Sequence, residues 1–530
     1  MSNDVSPPDV TVVIAVYNTM PYLTECLSSL VAQSIGLDRM EVVTVDDGST
    51  DSGPAELARF AALHPGTFKV ITQKNSGGPA APSNRGIEAA TGRYIFFLGS
   101  DDYLGSEALE RLVAAADRHG GDVVLGSMVG VNGRIVPKSV FAEGNRHGIT
   151  LANSTLSWAL SDTKLFRRSH LDRFGIRYPE DLSILCDHPL TLEACLRASS
   201  VSVLGDYPYY YAVSRDDESN LTFRGRPQDL LRATERSIRT VIRSGASEPE
   251  LSAVVRRYLV NELSGVLTKQ LPAADRATQL ELLNQIGALV EEFADDAVLA
   301  GISRNTRLRL LLAREGALDV LLDTLRWEEE PSDPPLLRRD GRLYLNHPAV
   351  HRPELEHLHE QIDVSGETWQ DLTATWEGSG ADAALVVTAH SPLPDYAERW
   401  GDRLVGRLVP VRAAAARAKP YESAPGFQVL NDGSGTRLRL RFPLVRLLAD
   451  SSTESGSWAV RLQVSGKHGP VSVPVPTRPL PQVKMRSRHR YYRVSPVADS
   501  AGSLEIAVAP IRANRVIAQR LRRLRALGRN

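Results

Sequence analysis

Apolar residues in the first two hundred positions fall into short unbroken runs separated by stretches with helical spacing. The runs Val10-Thr11-Val12-Val13-Ile14-Ala15-Val16, Glu41-Val42-Val43-Thr44-Val45, Lys69-Val70-Ile71-Thr72 and Tyr94-Ile95-Phe96-Phe97-Leu98 are each bounded by turn residues. Runs this short and this apolar predict strands buried on both faces. Between the first two, Leu23, Cys26, Leu27, Leu30 and Val31 share one face of a helix, which makes Cys26 a core residue. Asn84-Arg85-Gly86 lies in a later helix, and Tyr207 to Tyr211 reads as a packed last strand. Strand and helix alternate, so an α/β domain with a parallel sheet and right-handed crossovers is expected over residues 1–225.

The pattern then changes twice. From 226 to 330 it is helical: Leu231, Ile238 and Ile242 form one stripe, Val255, Leu259, Leu263 and Val266 another, and Leu280, Leu283, Ile286 and Leu289 a third. No polar constellation interrupts these stripes, which suits a connector packed on the first domain. Glu328 to Pro335 has the composition of a linker. Beyond it the period becomes two, as in Thr436-Arg437-Leu438-Arg439-Leu440-Arg441-Phe442 and Trp458-Ala459-Val460-Arg461-Leu462-Gln463-Val464, with a turn at Asn431 to Gly435. This alternation predicts an antiparallel β-sandwich of immunoglobulin-like type over 338–510.

Length and composition add limits. A chain of 530 residues with 42% hydrophobic and 24% charged residues is expected to fold as several globular domains. A formal net charge of −1 singles out no partner. Three scattered cysteines, Cys26, Cys186 and Cys195, suit a reducing cytoplasm and offer neither a disulfide framework nor a familiar zinc spacing. Met1 to Val10 carries no basic-then-apolar signal, and no apolar run nears the roughly 20 residues that span a bilayer. The carboxyl end is basic: Arg515, Arg520, Arg522, Arg523 and Arg525 flank an apolar side of Val516, Ile517, Leu521 and Leu524. A cytoplasmic protein is expected; such a tail over 511–530 can rest on the anionic inner face of the membrane, giving peripheral contact, or equally be a solvated tail or an oligomer contact. No nucleic-acid motif accompanies the charge.

The candidate chemistry lies at strand ends. Two of the runs finish in paired acids, Asp46-Asp47 and Asp101-Asp102, and ligands of open α/β sheets bind beyond the carboxyl ends of their strands. Acids at that rim can hold a divalent cation and a polar ligand group. The glycine-rich stretch Asn75-Ser76-Gly77-Gly78-Pro79 lies between them in sequence and allows close backbone approach. A nucleotide-sugar needs this combination: a carboxylate for base or ribose, a cation for the diphosphate, and backbone beside it.

Val12-Val13-Ile14-Ala15-Val16-Tyr17-Asn18, Val45-Asp46-Asp47-Gly48-Ser49-Thr50-Asp51, Asn75 to Pro79 and Ser100-Asp101-Asp102-Tyr103-Leu104 together resemble the family 2 glycosyltransferases of GT-A fold, over roughly residues 9–220, and among them enzymes of wall teichoic acid type. The resemblance implies that the backbone at Ala15, Val16 and Tyr17 and the carboxylate of Asp47 hold the nucleobase, usually uracil. It places Asn75 and Arg85 near the nucleotide, Asp101 at the ribose, and Asp102 on Mn²⁺ or Mg²⁺ bridging the diphosphate. Arg215 and Ser219 would reach the diphosphate from a polar loop. Many relatives have an acid where Gly99 stands and an arginine where Ser83 stands.

On the acceptor side, Thr163-Lys164-Leu165-Phe166-Arg167-Arg168-Ser169 resembles the family's strand and turn. Two places can supply the base, Glu180-Asp181 and Cys186-Asp187. Asp187 fits better, because Leu190, Leu192, Ala194, Cys195 and Ala198 continue an apolar helix behind it, with Cys186 where the family has glutamate. An aspartate of ordinary pKa, about 3.9, would be ionised at neutral pH without tuning. The implied activity is metal-dependent, inverting hexosyl or N-acetylhexosaminyl transfer from a UDP-sugar to a cell-envelope polysaccharide or polyol-phosphate polymer, by a homo-oligomer. Two alternatives are a nucleotidyltransferase, which should carry a basic glycine-rich loop where Ala15-Val16-Tyr17-Asn18 stands, and a non-catalytic carbohydrate-binding scaffold.

Overall fold

The computed structural model describes residues 7–215, 225–329 and, with short breaks, 336–510. The chain divides into two units, 1–322 and 323–530.

In the first unit the strands are β1 (Val10–Val16), β2 (Met40–Asp46), β3 (Phe68–Thr72), β4 (Tyr94–Phe97), β5 (Tyr103–Leu104), β6 (Val123–Gly126), β7 (Met128–Val131), β8 (Arg146–His147), β9 (Leu165–Arg167), β10 (Val201–Leu204) and β11 (Tyr210–Val213). The helices among them are α1 (Tyr22–Val31), α2 (Gly53–Leu63), α3 (Ala80–Ala89), α4 (Ala108–His119), α5 (Arg168–Phe174) and α6 (Asp187–Arg197). The main sheet has the order β3-β2-β1-β4-β9-β6-β10-β8. Its first four strands are parallel, as the buried runs predict. Cys26 is fully buried against them.

The sheet is nevertheless mixed, which corrects the all-parallel expectation. β9 runs antiparallel to both of its neighbours, β4 and β6. A parallel return needs a crossover, usually helical. The chain between β7 and β9 carries only the short strand β8 and single turns of 3₁₀ helix, so no such crossover precedes β9. The tyrosine-rich strand β11 also leaves the main sheet and sits between β5 and β7 in a three-stranded one.

Register decides what meets at the rim. Val16 pairs with Asp46 and Val13 with Phe97, so β1, β2 and β4 all end at one edge. Because β9 is reversed, with Leu165 opposite Phe96, the residues entering β9 lie where β4 leaves the sheet. Asp162, Thr163 and Lys164 therefore reach the edge of Asp101 and Asp102.

The helices that follow include α7 (Pro227–Arg243), α8 (Glu248–Tyr258), α9 (Arg276–Phe293) and α11 (Arg304–Arg314), with the short α10 (Asp296–Ala300) between the last two. Two π-helical stretches, Leu259–Leu263 and Val266–Gln270, extend α8. Helix α6 packs on α7. Most of the expected stripe residues are buried, but Ile242 and Leu280 are exposed. On α7 the buried face runs through Leu231, Thr234, Ile238 and Val241, and on α9 through Gln279, Leu282, Leu283 and Ile286. A 3.6-residue turn carries Ile242 and Leu280 off those faces. Helix Leu318–Glu329 takes in Glu328 and Glu329, and the rest of the expected linker, 330–335, lies outside the described residues.

In the second unit, strands Gln370–Glu377, Ala384–Ser391, Thr436–Pro443 and Gly426–Val429 make one antiparallel sheet. Leu404–Pro410, Gly456–Gly466, Leu504–Pro510 and Arg490–Ala498 are at the centre of a second. Leu385, Val387, Leu438, Leu440 and Phe442 of the first share one core with Leu408, Val460, Leu462, Ile506 and Val508 of the second. The Ser423 hydroxyl donates to the Arg441 carbonyl at 2.8 Å, tying sheet to sheet. The turn at 431–435 and the basic tail at 511–530 lie outside the described residues. Among those described, no helix is long and apolar enough to cross a membrane.

Phe166 is fully buried in β9, with its ring edge-on to Phe97 at 5.8 Å. Phe166→Ala is expected to cost about 3–5 kcal/mol, read as a fall in the urea midpoint of the first unit's transition.

Candidate active site

The residues expected on the nucleotide side gather where β1 and β2 end. The Asp47 amide donates to the Val16 carbonyl at 2.9 Å, which holds the two strand ends together. The buried Asp47 carboxylate accepts from Gln73 Nε2 at 2.7 Å, from the Ser76 amide at 3.0 Å and from the Ser76 hydroxyl at 2.9 Å. It thus orders the glycine-rich loop as well as facing the rim. Asp46 accepts from the Ser49 amide at 3.1 Å, and Asn18 Oδ1 accepts from the Thr50 amide at 2.8 Å. Gly48 is required here: its φ is +76°, and a Cβ would lie 2.9 Å from the Asn75 amide nitrogen. Tyr17 is 48% exposed just past β1, while Ala15 and Val16 are part of the strand. Asn75 is exposed, its side-chain oxygen accepting from the Gly77 amide at 3.0 Å. Arg85 is exposed on α3, whereas Ser83 beside it is buried.

The second acid pair follows β4. Asp101 pairs with Arg215 Nε at 2.7 Å, both side chains being mostly covered. Asp102 accepts the Tyr210 hydroxyl at 2.5 Å and the Val213 amide at 2.7 Å, so β11 grips both of its oxygens. The same tyrosine oxygen accepts from the Gly99 amide at 3.1 Å. Burial and the neighbouring Asp101 charge push the Asp102 carboxyl up to about 7, while the Tyr210 and Val213 donors pull it down. Gly99 faces this cluster closely: a Cβ there would stand 2.7 Å from Asp102 Oδ2 and 3.2 Å from the Tyr210 oxygen. An acid at this position would crowd the pair. Ser219 lies outside the described residues.

Hard carboxylate oxygens at Asp102 suit Mg²⁺ or Mn²⁺. Among the described residues no three His, Cys, Asp or Glu side chains form a cage, so an ion held here would complete its shell with ligand phosphate and water.

Asp187 opens α6, directly after Cys186. Its pKa does not stay at the ordinary value. Burial, followed by the charge of Asp162, pushes it up to about 7, with Lys164 and Arg257 acting the other way. Asp162 accepts the Tyr178 hydroxyl at 2.5 Å. Tyr178 is in turn clamped by Asn84, which accepts from its amide at 2.9 Å and donates to its carbonyl at 2.9 Å. Asn84 also donates to Glu180 at 2.9 Å. Asp181, the other candidate, is exposed and stands 3.9 Å from Arg236. Since Asp162 leads into β9, the pair Asp162–Asp187 is brought to the same edge as Asp101–Asp102.

Asp162, Tyr178 and Tyr210 were not singled out from the sequence, and Lys164 only as part of the strand and turn. One signal was legible: Lys164 adjoins the apolar Leu165-Phe166, an unusual place for a charge, and the side chain is 1% exposed.

The raised pKa has a consequence for stability. A native carboxyl that holds its proton more tightly than the unfolded chain does makes folding less favourable as pH rises between the two values. Asp187→Asn should therefore gain stability relative to the parent progressively from about pH 4 to about pH 7, with no further gain above. Urea midpoints of both proteins across pH 4–8 check this; a difference independent of pH contradicts it.

Residues 11–174 match the model of the family described as Glycosyl transferase family 2. The chain is 35% identical over 348 residues to the poly(ribitol-phosphate) beta-glucosyltransferase of Bacillus spizizenii, covering 65% of this chain and 54% of that one. It is 32% identical over 325 residues to the poly(ribitol-phosphate) beta-N-acetylglucosaminyltransferase TarS of Staphylococcus aureus, covering 60% of this chain and 55% of the relative. The chain spans about half the length of these curated relatives. A crystal structure of S. aureus TarS 1–349 with UDP matches with a TM-score of 0.54 at 29% identity, over 64% of this chain and 96% of that one. A longer TarS structure matches 96% of this chain and 86% of its own with a TM-score of 0.59; at 22% identity this is a likeness of fold. Residues 11–174 of the first unit thus match the family 2 glycosyltransferase domain, on a fold shared with TarS 1–349.

Proposed function

We propose that the protein transfers a sugar from a UDP-sugar to a hydroxyl of a poly(ribitol phosphate)-like cell-wall polymer, with inversion. The observation that carries this reading is the convergence of Asp47, Asp101, Asp102 and Asp187, from three separate parts of the chain, on one edge of the sheet. The named activities of the similar proteins, poly(ribitol-phosphate) glucosyl- and N-acetylglucosaminyltransfer, support the donor and acceptor classes. TarS has also been crystallised with UDP-GlcNAc.

In this reading the exposed Tyr17 and the Asp47-ordered loop receive the uracil, and Asp101 the ribose. Asp101 now pairs with Arg215, so nucleotide and arginine share that carboxylate or the arginine turns to the diphosphate. Asp102 would hold Mn²⁺ or Mg²⁺, which when bound neutralises charge on the departing diphosphate. Asp187 takes the proton of the acceptor hydroxyl as its oxygen bonds to the anomeric carbon and the bond to UDP breaks. A base with a pKa near the working pH is well matched to that task. The basic, apolar-sided tail of the sequence supports a place at the cytoplasmic face of the membrane.

Three variants test the assignment. Asp187→Asn should retain UDP binding and lose transfer by about 10²–10⁴-fold, the usual worth of a general base. Asp102→Ala should lose the Mn²⁺-dependent part of UDP binding, measured by calorimetry with and without chelator. Normal transfer by Asp187→Asn together with loss in Asp181→Asn would move the base to Asp181.

A further inference from the structure

The Asp162–Asp187 pair raises a difficulty that the sequence did not pose. Two carboxylates facing one another away from water cannot both stay ionised unless a positive charge answers them. Asp162 has the Tyr178 hydroxyl at 2.5 Å. Asp187 is faced by Asp162, Lys164 and Arg257, with the Cys186 thiol and the Tyr178 and Tyr258 phenols held neutral by burial around it. His188, next on α6, bonds the Tyr258 hydroxyl at 3.0 Å and is held neutral by its burial. Arg257 is already engaged by Glu262 at 2.5 Å, both side chains buried, so its charge is largely answered there.

Lys164 is different. Its ammonium donates to the Ser161 carbonyl, a neutral partner. The same carbonyl accepts from Thr191 Oγ1 at 3.5 Å. Thr191 stands one turn beyond Asp187 on the same face of α6. The lysine thereby shares an acceptor with a residue one turn into α6; burial pulls its pKa below the ordinary lysine value, while Cys195, Asp162 and Asp187, which face it, act the other way.

From this geometry we infer that Lys164 is a positioning residue for transfer: its buried ammonium is the counter-charge that lets Asp187 stand as a carboxylate beside Asp162. The inference rests on Asp187 being the base. Without the ammonium, the two acids would share a single proton, and Asp187 would hold it at the pH where it must accept one. A strand-edge lysine kept from water is otherwise expensive to bury. Its burial here is explained by the acid pair it serves.

The experiment follows transfer against pH in the full chain for the parent, Lys164→Met, Asp162→Asn and Lys164→Met/Asp162→Asn, with UDP affinity measured alongside. Lys164→Met should move the acid limb of kcat upward by about 1 pH unit or more, lowering the rate on that limb about tenfold, with UDP affinity unchanged within about 2-fold. The double variant, freed of the competing carboxylate, should return the limb toward the parent's position. Asp162→Asn alone should move it downward, and this arm stands even where the methionine variant fails to fold. A second readout needs no turnover: the pH range over which Asp187→Asn gains stability on its parent should move upward in the Lys164→Met background. A role in packing alone would lower kcat equally at every pH and leave the double variant no better than the single; either result, or an unmoved limb, overturns the inference. Absence of transfer by the parent with every UDP-sugar would defeat the functional reading, and the stability readout would still decide the role of Lys164.

Discussion

Removing carboxylates from water at the end of a sheet demands that something answer their charge, and the architecture of this rim follows from that demand. Asp47 is answered by amides and hydroxyls of the loop after β3, Asp102 by β11, Asp101 by Arg215, and Asp162 by Tyr178. Each of these acids recruits a segment distant in sequence, so the partners that neutralise it also build the walls around it. Folding and site assembly are here one process. Hydrogen bonds to ionised groups are worth about 1.5–3 kcal/mol each, enough to order loops that bury little apolar surface.

The compensation is deliberately incomplete at two places. Asp102 and Asp187 both keep carboxyls near pKa 7, because burial and a neighbouring acid outweigh their donors. A group so placed is costly to the fold, and on the proposed reading its need for a cation or a proton is met when substrate arrives. Perturbed carboxyls cluster at functional sites for this reason.

Much of this was legible in the chain. The buried runs gave β1, β2 and β4 almost residue for residue, and the acid pairs at their ends required only parallel register to meet. The stripes of α7 and α9 were legible except where the last turn or the first drifted off the buried face, at Ile242 and Leu280. What the sequence could not show was the reversal of β9, because a three-residue strand has no directional signature. That reversal brings Asp162 and Lys164 to the rim, so the tuning of Asp187 was hidden with it. The ordinary aspartate pKa was the natural expectation for a residue whose neighbours in space were unknown. Tyr210 was visible only as one tyrosine among several; its bond to Asp102 spans 108 positions of sequence.

The central claim is that acids from β2, β4 and the start of α6 face one ligand. A crystal structure of the chain with UDP and Mn²⁺ tests it most directly. The expected result is a diphosphate beside Asp102, the uracil against the loop ordered by Asp47, and the Asp187 carboxylate open to the space where a sugar would follow. UDP bound away from this edge, or Asp187 walled off from the diphosphate by protein, would contradict it.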